Sequence, residues 1–160
     1  MPPETVDAVA RQLVEAGVGV IALPATDLFL LGRDVTHLVP RGPAPLMRLR
    51  EAGAPVAVAT NNILNPFTPY GDGNLMRIAN LFANVAQLSR DADLAAAFAM
   101  VTADAARMIG RPYGIVVGAP ADLVLLDATS PADAVRHVAA PLMGWKAGRL
   151  SFERPAARLL

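Results

Sequence analysis

The stretch Pro55-Val-Ala-Val-Ala-Thr-Asn-Asn-Ile-Leu-Asn-Pro-Phe-Thr-Pro-Tyr-Gly-Asp72 decides the fold. Val56 to Ala59 are apolar without interruption, and a strand lacking polar alternation is one whose two faces are both covered, as in a parallel sheet. The run stops at Thr60, Asn61 and Asn62 and opens into a proline-rich polar loop. In α/β folds the carboxyl ends of the strands carry the chemistry, because the loops leaving them vary while the sheet beneath holds them still. Asn61-Asn62 therefore has two readings. It opens a turn, since asparagine bonds its own neighbouring backbone, or it is a pair of side chains delivered to a site.

Toward the N-terminus the pattern repeats. Val18-Gly-Val-Ile-Ala-Leu23 is a second apolar run that stops at Pro24, with Thr26 and Asp27 at its end. Before it, Pro2 and Pro3 precede a helical pattern. Val6, Val9, Ala10, Leu13 and Val14 share one face, Glu4, Asp7, Arg11 and Glu15 the other, and Gly17 is the stop. A second helix is expected at about 43–52, with Leu46, Met47 and Leu49 inward and Arg48, Arg50 and Glu51 outward. Helix, buried strand, loop, helix, buried strand is a βα repeat on a parallel sheet with right-handed crossovers. The connecting loop, Leu30 to Pro43, is long for such a unit, and long ordered loops tend to be functional. It holds Arg33 and His37, one of two histidines. A lone loop histidine is more often a surface group than a ligand or an acid–base catalyst. His137, in a polar stretch, has the weaker claim.

Downstream, Asn74 to Ser89 carries Leu75, Ile78, Ala79, Phe82 and Val85 at helical spacing. Asp93 to Met108 carries Leu94, Ala97, Phe98, Val101 and Ala105. Both stripes read as core. Beyond Gly110 the period changes: Ile115-Val-Val, Asp122 to Asp127, Pro141 to Lys146 and Arg149 to Phe152 read as short strands, with turns at Gly118, Ser130-Pro131 and Ala147-Gly148. The predicted organisation is an α/β region over 1–110, a β-rich segment over 111–153 and a frayed tail over 154–160.

Composition narrows the function. The 160 residues are 54% hydrophobic with a mean hydropathy of +0.39, more apolar than a domain of this size needs for its own core, so some surface seeks a partner. Fourteen basic and fourteen acidic residues cancel, and neither a basic block nor a basic amphipathic helix appears. Nucleic acid and anionic membrane surfaces are thereby excluded as partners. No cysteine is present, which removes disulfides and thiolate metal ligands and fits a reducing cytoplasm. The first residues lack the charged and apolar regions of an export signal, and no window of about 18 apolar residues spans a bilayer. A cytoplasmic chain is expected.

Two stretches carry a family resemblance. Thr102-Ala-Asp-Ala-Ala-Arg-Met-Ile-Gly110, followed by Tyr113-Gly-Ile-Val-Val-Gly-Ala-Pro-Ala-Asp-Leu-Val-Leu-Leu-Asp127, resembles the closing signature of the metal-dependent amidohydrolases. Leu31-Gly-Arg33, and Asn61-Asn62 followed by Asn65-Pro66-Phe67, resemble the cytosine deaminase branch of that family. The likeness runs from about residue 4 to about residue 152.

The resemblance implies a (β/α)8 barrel whose strands seven and eight are Val18–Leu23 and Val56–Thr60, followed by a sandwich-type β segment. It implies hydrolysis of non-peptide C–N bonds in pyrimidines, triazines and similar small molecules by a water activated on a divalent metal, Zn or Fe. Asn61 takes the position of the family's metal-binding aspartate and Asn62 that of an adjacent substrate-contacting acid. Phe67 takes that of an aromatic pocket wall, and Asp27, Arg33 and His37 fall in the surrounding loops. The sequence departs from the pattern twice. The first six strands with every histidine ligand are absent from it, and the one ligand position present holds a neutral amide, which can touch a metal but has no pKa in range to act as a base. The isolated chain is accordingly expected to hold no metal and to need either an N-terminal barrel segment or a second copy of itself. The alternative is a non-catalytic α/β module that oligomerises.

Overall fold

The two apolar runs pair as parallel strands, β1 (Val20–Ala22) and β2 (Val56–Val58), with Val20 opposite Val56, Ile21 opposite Ala57 and Ala22 opposite Val58. The structure is a computed structural model that describes residues 1–155. Helix α1 (Pro3–Ala16) enters through prolines whose missing N–H costs nothing in a first turn. It stops at Gly17, whose φ of +64° brings its N–H onto the Leu13 and Val14 carbonyls. Its buried face is Val6 and Ala10, and Arg48 on α3 (Leu46–Glu51) forks onto the Asp7 carboxylate at 2.6 and 2.8 Å.

Only β2 meets the expectation of a strand covered on both faces. All three of its residues are buried, because four helices pack on it. In β1, Ile21 is 53% exposed. That strand has one sheet neighbour among the described residues, and nothing there covers its outer face.

Several boundaries differ from those read in the sequence, each for a local reason. The segment after β1 is a helix, α2 (Pro24–Leu30), with Pro24 at its first position. Helix α3 is shorter than 43–52, since Pro43 and Pro45 keep the chain out of the helix up to Leu46, whose N–H turns back onto the Ala44 carbonyl at 2.7 Å. Helix α4 (Leu75–Val85) is capped by the Asn74 side chain, which accepts from the Met76 N–H at 2.9 Å. The long helix expected over Asp93–Met108 is two, α5 (Asp91–Met100) and α6 (Ala103–Met108). At the break, Thr102 Oγ1 donates to the Phe98 carbonyl at 2.8 Å, a back-bond of the kind that bends helices.

The β-rich segment is a three-stranded antiparallel sheet in the order β3 (Leu123–Leu126), β4 (Pro141–Lys146), β5 (Arg149–Glu153). Ser130-Pro131 is more than a turn. The Ser130 hydroxyl accepts from Asp133 N–H at 3.1 Å and starts α7 (Pro131–Arg136). Ile115-Val-Val forms no strand, and Ile115 is 91% exposed. Of the expected tail, residues 156–160 lie outside the described residues, while the Arg154 N–H donates to the Leu142 carbonyl at 2.7 Å. The core gathers Leu46, Val56, Val58, Phe82, Met100 and Val135. Asp104, also buried, is met by Arg50 at 3.2 Å and Arg107 at 2.9 Å, fastening α3 to α6. Among the described residues no helix is long and apolar enough to cross a membrane.

Four carboxylates are held below the ordinary value of 3.8: Asp7 by the Arg48 hydrogen bond, Asp93 by Arg90, Asp122 by Lys146 and then the Ala147 N–H, and Asp133 by the N–H and hydroxyl of Thr129. A carboxylate depressed in the folded state stabilises above its unfolded pKa and loses that contribution as pH falls through the folded one. Thermal scans should therefore show a melting temperature insensitive to these four groups from pH 5 to 8 and falling below about pH 4. A midpoint that holds down to pH 2 would show that the four pairs contribute nothing.

Candidate functional site

The carboxyl end of β2 is a tightly wound turn. Ala59 N–H still reaches across to the Ala22 carbonyl at 3.0 Å, the last bond between the strands. Asn62 N–H then donates to the Thr60 carbonyl at 2.6 Å, and Thr60 Oγ1 donates to the Asn62 carbonyl at 2.9 Å. Asn61, between them, is left-handed at φ +58°. Asparagine and aspartate adopt that conformation more readily than other side chains, because a short polar group there can bond locally. Asn61 is exposed, and its side chain makes no hydrogen bond among the described residues.

A brace holds this turn from below. Asn65 Nδ2 donates to Asn62 Oδ1 at 2.8 Å, while Asn65 Oδ1 accepts from the N–H groups of Phe67 and Thr68, each at 3.0 Å. The Asn65 and Thr68 backbones bridge each other at 3.2 Å in both directions. The Thr68 hydroxyl, fully buried, meets the Thr26 hydroxyl at 2.5 Å. Thr26 lies in the first turn of α2, so the loops leaving the two parallel strands are bolted together at their carboxyl ends.

The other residues singled out in the sequence lie around this turn. Phe67 is 58% exposed, a wall with one bare face. Asp27 sits in the first turn of α2, where a carboxylate suits the helix dipole. Arg33 places its guanidinium 5.0 Å over the Phe29 ring, and Phe29 meets Tyr70 edge to face at 6.1 Å. His37 is exposed in the loop that precedes α3. No hydrogen bond joins Asp27, Arg33 or His37 to Asn61 or Asn62 among the described residues. The sequence pattern did not single out Phe29, Tyr70 or Thr68, and it marked Asn65 only as part of the resemblance, not as the brace beneath Asn62. The spacing Asn65-x-x-Thr68 is an asparagine-led turn and could have been recognised as one. A cleft of about 320 Å³ lies between α2 and α4, lined by Ala25, Leu28, Phe29, Tyr70, Arg77 and Leu81.

The strand end offers two neutral amides, Asp27 lies on the helix that follows the neighbouring strand, and no group of three or more His, Cys, Asp or Glu side chains that could hold a metal exists among the described residues. A closed site needs three or four such ligands. The described residues do not by themselves fit a resident metal.

Comparison with known proteins adds the rest. The family model described as the amidohydrolase family matches residues 1–152. The chain is 37% identical over 127 residues to the pterin deaminase of Rhizobium rhizogenes, covering 78% of this chain and 28% of that protein. It is 35% identical over 108 residues to the N-isopropylammelide isopropyl amidohydrolase of a Pseudomonas species, covering 66% and 27%. Among solved structures, it superposes on the 5-methylcytosine deaminase of Klebsiella pneumoniae with a TM-score of 0.91 at 28% identity, over 99% of this chain and 39% of that one. The α/β fold is thus shared with amidohydrolase structures over nearly the whole chain, which spans well under half the length of the proteins it matches.

Proposed function

The chain belongs to the amidohydrolase family, and on that premise we propose that it is the closing part of a cytosine deaminase-like (β/α)8 enzyme that hydrolyses non-peptide C–N bonds of small heterocycles. In this reading β1 and β2 are strands seven and eight within a partial barrel over 1–110, and 111–153 is a sandwich-type segment. The other six strands come from an upstream segment or a partner chain. The observation that carries the reading is the braced Asn61-Asn62 turn at the carboxyl end of a buried parallel strand, in a chain that superposes on a deaminase along its length.

The roles follow from the chemistry each group can perform. Attack of water on a ring carbon that bears an amine or amide nitrogen requires a group to take the water's proton and one to orient the ring. Asn61, a neutral amide, cannot take the proton, so either another group of the assembled barrel takes it or the chain is not catalytic as it stands. Asn62 contacts the ring edge, Phe67 walls its face, and Asp27, Arg33 and His37 form the rim. The family's divalent ion, Zn or Fe, would supply the activated water, with its remaining ligands on the six strands beyond this chain. The test is a chimera in which this chain replaces the matching 39% of the Klebsiella enzyme. It should fold as one barrel with a single cooperative transition. Two independent transitions would overturn the assignment of β1 and β2 as strands seven and eight.

A second reading rests on the apolar side chains left bare. Ile21, Leu38, Leu64, Ile115 and Val117 are all exposed, and β1 has an open edge among the described residues. A non-catalytic α/β module could persist by covering them with a second copy. The isolated chain is expected to sediment as an oligomer. A monodisperse monomer that unfolds cooperatively would count against both readings, because it would mean the fold needs nothing further to close.

A further inference from the structure

The brace beneath Asn62 fixes more than its position. Asn65 Oδ1 faces two backbone N–H groups, those of Phe67 and Thr68. Only an acceptor can meet two donors, so the Asn65 amide has one orientation, with Nδ2 turned toward Asn62. Nδ2 in turn requires an acceptor, which makes the facing atom of Asn62 its oxygen, at 2.8 Å. Both amides are thereby set by donor–acceptor pairing. The consequence falls on the other end of the Asn62 side chain. Its NH2 group points away from the brace, carries two donors and has no partner among the described residues, on a half-buried residue. A donor presented this way gains from a ligand acceptor and loses against a ligand donor.

We propose that Asn62 is a specificity-determining hydrogen-bond donor, held in that sense by Asn65 as a positioning residue. The site then selects heterocycles that present an acceptor at this edge, a carbonyl oxygen or an unprotonated ring nitrogen, over those that present an amino group. The inference rests on the reading of the β2 carboxyl end as the substrate site. Aspartate at position 62 would offer the opposite, an edge of acceptors only.

Two probes separate the senses: pyridine N-oxide, which only accepts, and pyrrole, which only donates. They are titrated into the full ¹⁵N-labelled chain, with the backbone N–H resonances between residues 60 and 68 as the reporter in the wild type and in both variants. The wild type should bind pyridine N-oxide more tightly than pyrrole by about tenfold, as one satisfied donor against one left unpaired would give. In Asn65→Asp, one carboxylate oxygen keeps the two backbone N–H groups. The other repels the Asn62 oxygen, so the Asn62 amide turns over and presents Oδ1, and the preference should invert toward pyrrole. Asn62→Asp should reach the same inversion with the Asn65 brace intact, and it carries the test should Asn65→Asp fail to fold. Perturbation of residues 60–68 by neither probe would overturn the reading of this strand end as a site, and the inference with it. Binding with the same preference in wild type and both variants would overturn the inference alone.

Discussion

Asn61→Asp in the chimera with the Klebsiella enzyme is expected to raise its C–N hydrolase activity by about 10² to 10⁴, the usual range for a general acid–base group. The substitution replaces an amide that can neither carry charge nor take a proton with a group that can do both. It should do so without disturbing the fold. Position 61 is left-handed at φ +58°, a conformation that aspartate tolerates about as well as asparagine, and the amide makes no hydrogen bond that a carboxylate would lose. Activity is read as ammonia released from 5-methylcytosine, with the thermal midpoint as the control for folding. A wild-type chimera that already turns over and loses activity on Asn61→Asp would show Asn61 to be a substrate contact in its own right, and the account of it as a neutralised aspartate would fall.

Phe82→Ala is expected to destabilise the chain by about 3–5 kcal/mol, the cost of emptying a packed aromatic site in a core. Phe82 is 1% exposed and sits on the buried face of α4 with Met76, Ile78, Ala79 and Ala83, the face turned toward β2 and α5. Set against the 5–15 kcal/mol typical of whole domains, that loss would consume a large part of the margin. Denaturant titration should show the midpoint falling with the slope unchanged. A midpoint within the error of the wild type would mean that α4 is not packed as described.

What the sequence made legible was whatever depends on local pattern. The unbroken Val56 to Ala59 run marked β2, which stops at Val58 and not at Thr60, and the Pro3 and Gly17 punctuation marked α1 within a residue at each end. The failures lie where a side-chain bond or a packing partner decides. Helical spacing runs straight through Thr102, so nothing in the periodicity announces that its hydroxyl turns back on Phe98 and splits the helix. Ile115-Val-Val has the composition of a strand, but strand propensity measures fit to a neighbouring surface, and no neighbour is there. Ile21 reads as buried in the sequence because its run is as apolar as that of β2, whereas burial depends on what packs outside it. At the site, Asn61, Asn62 and Phe67 were visible as residue types at a strand end. The tie from Thr68 to Thr26, 42 positions apart, was not.

The bond between the Asn62 N–H and the Thr60 carbonyl also bears on how this turn ages. An asparagine degrades when the backbone nitrogen of the next residue attacks its side-chain carbonyl carbon, expelling ammonia and leaving a succinimide that hydrolyses to aspartate or isoaspartate. For Asn61 the attacking nitrogen is that of Asn62, and it is committed to the Thr60 carbonyl at 2.6 Å. The winding that presents Asn61 to solvent also withholds the nucleophile that would convert it. The native turn therefore preserves position 61 as an amide, and conversion to a carboxylate there would proceed from chains in which the turn has opened.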